Sequence, residues 1–261
     1  MLPKLTFLGT GTSVGVPVIG CDCSVCTSPD PRNRRTRSSI FLETQGVRLL
    51  VDTGPDLREQ ALRERLTAVD HVLYTHEHVD HIVGFDEIRA FCWHREDPLP
   101  LHGSAHTLAS LERMFPWAFT NTARNYVRPD PRPFADFATL TLGDLQVLTF
   151  PVEHGRSPTH GFLFTLPSGK KIAYAPDVKV IPPQSLEHLK GLDILIIDAL
   201  REEPHPTHMS LQEALSISNQ LAPQQTILTH LTHDLDFAKT TAKLPPNLII
   251  ATDGLTLDLS S

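Results

Sequence analysis

The chain concentrates metal-ligand side chains in the run HEHVDH, which begins at His76 and follows an apolar, β-branched stretch typical of a buried strand. His76 and His78 are two residues apart, so they face the same way on an extended backbone. Asp80 and His81 can converge on a neighbouring point as the chain turns. Imidazole nitrogens and carboxylate oxygens suit zinc, manganese or iron, so the run predicts a metal site at a strand end.

This spacing resembles the H-x-H-x-D-H signature of the metallo-β-lactamase fold superfamily of hydrolases. The resemblance implies an α/β fold, an αββα sandwich in which two mixed sheets lie between helical layers. It also implies two divalent ions, manganese or zinc, at one edge of the sandwich. Because the resemblance covers nearly the whole chain, we expect one such hydrolase domain over residues 1–261.

The same resemblance implies three further ligands downstream: a histidine, a bridging aspartate and a final histidine. His154, Asp177 and His230 each follow an apolar run and match those positions in that order. His160 is a rival to His154, but it begins the next strand-like run. The resemblance assigns the ligands as follows: His76, His78 and His154 to one ion, Asp80, His81 and His230 to the other, and Asp177 to both.

A histidine before a capped helix is the candidate proton donor. Ser210 and Glu213 form a capping-box pattern at the start of a helix-like run, and His208 lies just before it. A histidine suits the protonation of a leaving alkoxide. The resemblance places the general acid at His208, with His205 as the rival. The predicted catalytic residues are therefore His208 and, through the second ion, Asp80.

Two other strand ends carry residues that bear on the site. Asp52 lies between a strand and a glycine, where it either orients a ligand histidine or forms an ordinary Asx turn. The stretch Gly9–Ser13 is glycine-rich but lacks the Gly-Lys-Ser/Thr ending of a phosphate-binding P-loop. We expect its glycines to allow tight packing beside the site.

Three of the four cysteines form a second candidate metal site. Cys21, Cys23 and Cys26 supply three thiolates, one short of a tetrahedral zinc shell. His233 lies three residues after His230 and could supply the fourth ligand. This combination is similar to the phosphoribosyl 1,2-cyclic phosphate phosphodiesterase family of the carbon–phosphorus lyase pathway, in which the second histidine completes a structural zinc site.

Length and composition limit the function classes. With 261 residues, 20% of them charged and 40% hydrophobic, the chain has an ordinary globular composition. The net charge of −7 argues against nonspecific nucleic-acid binding, and we expect a small-molecule phosphodiester substrate. No apolar run predicts a membrane helix and no signal peptide is evident, so we expect a cytoplasmic protein without a membrane partner. A homodimer is left open.

Apolar periodicity predicts the elements that position these residues. The predicted strands are Leu5–Leu8, Ser39–Glu43, Val47–Val51, His71–Tyr74, Val147–Phe150, Gly161–Leu166, Lys171–Ala175, Ile194–Asp198, Thr226–Leu228 and Leu248–Ala251. The predicted helices are Pro55–Arg65, Phe85–Phe91, Ala105–Met114 and Ser210–Leu221. The stretch Phe115–Phe137, rich in proline, aromatic residues and arginine, is predicted to be a long irregular loop, either a lid over the site or an ordinary surface loop.

Several activities are compatible with a paired metal site. Two close divalent ions can bridge a hydroxide and stabilise charge on a phosphoryl or carbonyl oxygen, which favours a phosphodiesterase acting on a small or cyclic phosphodiester. A tRNA 3′-end endonuclease is the alternative in the same superfamily, but neither a glycine-rich arm nor a basic balance supports it. A thioester or lactam hydrolase would use the same metals. A noncatalytic scaffold would have lost a ligand, and none is lost.

Overall fold

The computed structural model describes residues 2–93, 95–120 and 127–260. Within them, the strands form two sheets of seven. The first sheet contains, in spatial order, β14 (Thr256–Asp258), β1 (Lys4–Gly9), β2 (Ser39–Glu43), β3 (Arg48–Val51), β4 (His71–Leu73), β5 (Leu99–Ser104) and β6 (Pro129–Phe134). The second contains β13 (Leu248–Ile250), β12 (Gln225–Thr229), β11 (Ile194–Asp198), β10 (Lys171–Ala175), β9 (Ser157–Thr165), β8 (Leu145–His154) and β7 (Thr139–Leu142).

Both sheets are mixed in the same way. Strands β14 to β3 pair antiparallel, whereas β3 to β6 pair parallel. In the second sheet β7 to β10 pair antiparallel and β10 to β13 pair parallel. Parallel strands bring their carboxyl ends to one edge of a sheet, and residues that follow such strands can therefore meet there.

Helices cover the outer face of each sheet. The α-helices of the described residues are α1 (Leu57–Arg63), α2 (Val79–Ile82), α3 (Arg89–Cys92), α4 (Ala105–Met114), α5 (Pro116–Phe119), α6 (Pro183–His188), α7 (Leu211–Leu221) and α8 (Phe237–Thr241). Short 3₁₀ helices span Pro31–Asn33 and Val83–Ile88. None of the helices in the described part of the chain has the length and apolar character needed to span a bilayer.

Three apolar clusters form the layers. The central cluster lies between the sheets and includes Phe7 and Leu49 from the first and Phe164 and Ile196 from the second. A second cluster packs the outer face of the second sheet against α6, α7 and α8, and a third packs the first sheet against α1 and α4. This arrangement confirms the predicted αββα sandwich.

The structure corrects two of the predicted elements. The predicted helix Phe85–Phe91 is a 3₁₀ helix, Val83–Ile88, followed by α3. The predicted loop Phe115–Phe137 contains α5 and β6, so it is not irregular throughout. Two of the aromatic and basic residues that suggested a lid, Arg124 and Tyr126, lie outside the described residues.

Candidate metal centre

Five strands deliver polar side chains to one edge of the sandwich. His76 lies just beyond β4, Asp177 beyond β10 and His230 beyond β12, while His154 is the last residue of β8 and Asp198 the last of β11. Besides a smaller group of Asp198, His208 and His230, two groups of potential ligand atoms that share Asp177 result, with the atoms of each within 4.8 Å of one another: His76, His78, His154 and Asp177 in one, and Asp80, His81, Asp177 and His230 in the other. We call the union of the two groups that share Asp177 the paired cluster.

Asp177 joins the two halves of the paired cluster. Its Oδ2 lies 3.3 Å from Nε2 of His76 and 3.1 Å from Nε2 of His81, and its Oδ1 lies 3.0 Å from Nε2 of His230. Asp80 belongs to the second group, with Oδ2 3.3 Å from Nε2 of His81. One carboxylate shared by both groups of ligands is the arrangement expected of a bridging residue.

The paired cluster fits divalent cations because its inward-facing atoms have no other partner. Nε2 of His76, His81 and His230 and Oδ1 of Asp177 are buried and, among the described residues, have no hydrogen-bond partner of acceptable geometry. Buried polar atoms are normally paired, and each unpaired one costs about 1–3 kcal/mol. Several such atoms aimed at one space therefore indicate that a ligand belongs there, and their chemistry suits a divalent metal.

The charges in the cluster are strongly coupled. Burial, reinforced by the positive charge of His81, lowers the pKa of His76 to about 3. Burial also acts to lower the pKa of His230, but the nearby Asp177 carboxylate outweighs it and raises that pKa to about 10. Burial acts to raise the pKa of Asp177, yet His230 and His81 hold it well below its usual range. Without bound cations, protonated histidines thus neutralise the charge of the carboxylates, a role that bound divalent cations would take over.

Neighbouring residues fix the orientation of the ligand histidines. Oδ2 of Asp52 accepts a hydrogen bond from Nδ1 of His81 at 2.8 Å, and Asp52 is itself held by the backbone N–H and hydroxyl of Thr75. The carbonyl oxygen of Thr207 accepts from Nδ1 of His154 at 2.8 Å. In both histidines Nε2 is left to face the cluster. Asp52 therefore takes the orienting position that the sequence left open.

His208 stands beside the cluster, not within either group of ligands. Its ring centroid lies 4.5 Å from that of His154 and 4.8 Å from that of His230. Nδ1 of His208 donates to Oδ2 of Asp198 at 2.7 Å. Burial and the positive charge of His230 lower the pKa of His208 to about 4. As a metal ligand His230 would be neutral, which removes the second of these causes.

The rival histidines occupy other positions. His205 is half-buried, its ring 5.2 Å from that of His208, and its Nδ1 accepts a 3.3 Å hydrogen bond from the Thr207 backbone. His160 lies inside β9 and donates to Asp136 at 2.8 Å, outside the paired cluster. The structure thus brings His154, rather than His160, to the cluster.

Asp198 is the functional residue that sequence reasoning missed. It is fully buried at the end of β11 and holds the candidate proton donor His208. Its position offered one indication: Asp198 ends an apolar strand, β11, that runs parallel to β10 and β12, the strands that lead to Asp177 and His230. No motif marks it, because its partner lies ten residues away along the chain.

The cysteines and His233 form a second, separate group, which we call the cysteine–histidine cluster. The Sγ atoms of Cys21, Cys23 and Cys26 lie 3.3, 3.6 and 3.3 Å from Nδ1 of His233. Three sulfurs and one imidazole nitrogen form a donor set that fits tetrahedral zinc. A hydrogen bond from the Cys26 backbone is the main cause that lowers the pKa of the Cys23 thiol to about 6, which favours the thiolate that binds metal.

The glycine-rich stretch that begins at the end of β1 packs closely against the backbone of residues 35–37. A Cβ on Gly9 would lie 2.0 Å from the carbonyl oxygen of Arg37, and one on Gly11 would lie 2.6 Å from that of Arg35. Both contacts are shorter than any side chain allows. The glycines thus permit close backbone approach, as expected from the sequence, and need no phosphate to explain them.

Comparison with known proteins agrees with this geometry. The sequence profile described as "Beta-lactamase superfamily domain" matches residues 47–231, which is more than half of the chain. The chain belongs to the metallo-β-lactamase superfamily. The profile match includes every residue of the paired cluster and ends before His233 of the cysteine–histidine cluster.

Solved structures of this superfamily resemble the chain over nearly its full length. A new diphosphatase from the PhnP family is 40% identical and superimposes with a TM-score of 0.91 over 98% of this chain and 97% of the other. Zinc-bound PqqB from Methylobacterium extorquens is 21% identical, with a TM-score of 0.81 over 98% and 100% of the two chains. The second of these shows the shared fold alone. The PhnP-family likeness and the paired cluster agree with the assignment to this superfamily.

Two curated relatives extend well beyond the part that matches this chain. An octanoyltransferase from Porphyromonas gingivalis is 34% identical over 97% of this chain but 51% of its own length. A ribonuclease Z from Bradyrhizobium diazoefficiens is 26% identical over 64% of this chain and 52% of its own length. The chain therefore spans about half the length of these two relatives.

Proposed function

We propose that this metallo-β-lactamase hydrolase cleaves a small or cyclic phosphodiester, such as a phosphoribosyl cyclic phosphate. The observation that carries the proposal is the shared Asp177 carboxylate, which contacts ligand histidines of both halves of the paired cluster. Similarity to a PhnP-family diphosphatase supports phosphorus rather than carbonyl chemistry. We propose zinc or manganese as the metal, because both accept imidazole and carboxylate ligands.

In this proposal His76, His78 and His154 would hold one ion, Asp80, His81 and His230 would hold the other, and Asp177 would serve both. When bound, two divalent ions would supply a hydroxide nucleophile at neutral pH and neutralise charge on the phosphoryl oxygens. The protein's contribution is to hold the ligands in place before binding. Asp52 and the Thr207 carbonyl do so by fixing the ring orientation of two histidines.

His208 is proposed as the proton donor to the leaving oxygen. Asp198 accepts from its Nδ1, so Nε2 is the nitrogen left to carry and release the transferred proton. The buried carboxylate also stabilises the protonated ring, as in other aspartate–histidine pairs. Because His208 packs against His154 and His230, it lies within reach of a substrate held at the paired cluster.

The cysteine–histidine cluster is proposed to hold one structural zinc ion through Cys21, Cys23, Cys26 and His233. It lies apart from the paired cluster, so its metal would contribute to folding rather than to the reaction.

The net charge of −7 favours a small substrate over a nucleic acid. Because the chain is similar to ribonuclease Z, tRNA cleavage is the second candidate function. We also propose a cytoplasmic location and a homodimer.

The test is hydrolysis of bis(p-nitrophenyl) phosphate by metal-free protein reloaded with manganese or zinc. Asp177→Asn should abolish turnover, because the shared ligand loses its charge. Asp136→Asn, whose carboxylate is 60% exposed and contacts only the rival His160 among the described residues, is the control and should retain activity. Cleavage of lactams or thioesters without any phosphodiester would contradict the proposal, and cleavage of precursor tRNA alone would favour the second candidate.

A further inference from the structure

Arg35 is a buried cation that the proposed reaction does not use. Its exposure is 1%, and its Nη1 and Nη2 donate to the carbonyl oxygens of Thr232 and Leu235, both at 2.6 Å. Burial lowers the pKa of Arg35 to about 10, so it stays charged at neutral pH. Taking a guanidinium out of water costs several kcal/mol, which the hydrogen bonds that it makes in the interior must offset.

The two carbonyls belong to a segment that serves both clusters. His230 of the paired cluster and His233 of the cysteine–histidine cluster are three residues apart, and Thr232 lies between them. Arg35 therefore holds the backbone between His230 and His233, where a displacement of either histidine would displace the other. His230 also has a φ of 57°, an uncommon backbone conformation that surrounding contacts must maintain.

Asn33 braces the far end of the same segment. Its Oδ1 accepts from the Phe237 backbone at 2.8 Å and from Nη2 of Arg35 at 3.4 Å, and its Nδ2 donates to Asp236 at 3.0 Å. The planar guanidinium and the amide together hold four positions between residues 232 and 237. Lysine could not reproduce this, because a single ammonium lacks the rigid fork.

The backbone of Arg35 is tied to the segment that carries the cysteines. Its N–H and C=O pair with C=O and N–H of Val16, both at 2.8 Å. Two residues on, the backbone N–H of Val18 donates to Sγ of Cys26 at 3.3 Å, and its carbonyl accepts from Cys21. Arg35 thus contacts both segments that build the cysteine–histidine cluster, one through its backbone and one through its side chain.

We infer that Arg35 is a positioning residue that couples the two clusters, so that metal in the cysteine–histidine cluster strengthens metal binding at the paired cluster through His230. The inference rests on the proposed function only in requiring metal at both clusters. Coupling of this kind is reciprocal: filling the paired cluster strengthens zinc binding by the same factor. Residues that orient metal ligands typically change affinity by about 10–100-fold when removed.

The test compares Arg35→Lys with Arg48→Lys, a control in which a partly exposed ion pair with Asp70 is altered at the start of β3. Manganese affinity at the paired cluster is measured by chelator competition, and hydrogen exchange of residues 230–237 is measured in protein without metal at the paired cluster. We expect Arg35→Lys to weaken manganese binding about tenfold and to speed exchange, with neither change in the control. Unchanged affinity in folded Arg35→Lys would overturn the inference.

Coupling itself is tested by adding Cys23→Ser to both backgrounds. In the wild type this substitution should weaken manganese binding, and in Arg35→Lys it should add little. Equal effects in both backgrounds would contradict coupling through Arg35. If Arg35→Lys does not fold, Asn33→Ala, which frees the other end of the segment, must give the same pattern. Normal manganese binding without phosphodiesterase activity would refute the proposed function while leaving this inference intact.

Discussion

Replacement of Asp198 by asparagine tests how the proton donor is prepared. The side chain is fully buried, and its Oδ2 accepts from Nδ1 of His208 at 2.7 Å. Asparagine keeps the shape but removes the charge that stabilises a protonated ring. It also offers an NH₂ group that can donate to Nδ1 of His208. This favours the neutral ring, whose Nε2–H is a much weaker acid than that of the doubly protonated ring.

The expected loss follows from that single contact. A hydrogen bond to a charged group contributes about 1.5–3 kcal/mol. At about 1.4 kcal/mol per tenfold change in rate, this is a fall in kcat of about 10–150-fold when protonation of the leaving group limits the rate. This loss should not exceed the contribution of about 10²–10⁴-fold that full general-acid catalysis makes.

The assay compares a methyl phosphodiester with a p-nitrophenyl phosphodiester, at saturating manganese and with metal content measured for each variant. The loss should occur on the methyl ester and be small on the p-nitrophenyl ester, whose leaving group departs without a proton. Asp193→Asn, at the opposite end of β11, is the matched control and should change neither rate. An equal loss on both substrates, or loss of metal, would refute a role for Asp198 in proton donation.

Three further predictions concern separate parts of the molecule. Cys23→Ser should lower the zinc content by one ion per chain and reduce the melting temperature; unchanged zinc and melting would contradict a structural site. His208→Ala should lower turnover on the methyl ester about 10²–10⁴-fold with metal content unchanged, and no loss on either ester would move the role to His205 or water. Burial and His71 lower the pKa of His102 from 6.5 to about 4. Between these pH values the unfolded chain binds a proton that the folded chain does not, so the free energy of unfolding should fall as the pH is lowered from 6.5 to 4. His102→Gln should flatten that fall in urea unfolding at pH 7 and pH 5; an equal slope in the variant would show that other groups cause it.

The resemblance carried by the motif after β4 predicted the αββα sandwich, and the structure brings the predicted ligands together. Those after β4, β10 and β12 follow strands with parallel neighbours, whereas His154 ends the antiparallel strand β8. The sequence did not predict β5 and β6. Proline occurs within both strands, and β6 consists largely of prolines and polar residues. Such a sequence is tolerated because β6 is the edge of its sheet and needs hydrogen bonds on one side only.

Roles that depend on distant partners could not be read from the sequence. Asp198 and Arg35 have their functional contacts across the fold, and nothing local distinguishes them from an ordinary strand-end aspartate or a surface arginine. For Asp52 the sequence allowed either an orienting contact with a ligand histidine or an ordinary Asx turn, and the 2.8 Å contact with His81 decides for the first. The capping box at Ser210 and Glu213, by contrast, is entirely local and is present as predicted.

Titration with manganese of protein that has zinc in the cysteine–histidine cluster and no metal at the paired cluster tests the central proposal most directly, with bound metal and phosphodiester hydrolysis measured on the same samples. Hydrolysis should begin as ions fill the paired cluster and reach its maximum at two ions per chain beyond the zinc of the cysteine–histidine cluster. Asp177→Asn should bind fewer ions and remain inactive at any concentration. Full occupancy of the paired cluster without phosphodiester hydrolysis, or undiminished hydrolysis with that cluster empty, would contradict it.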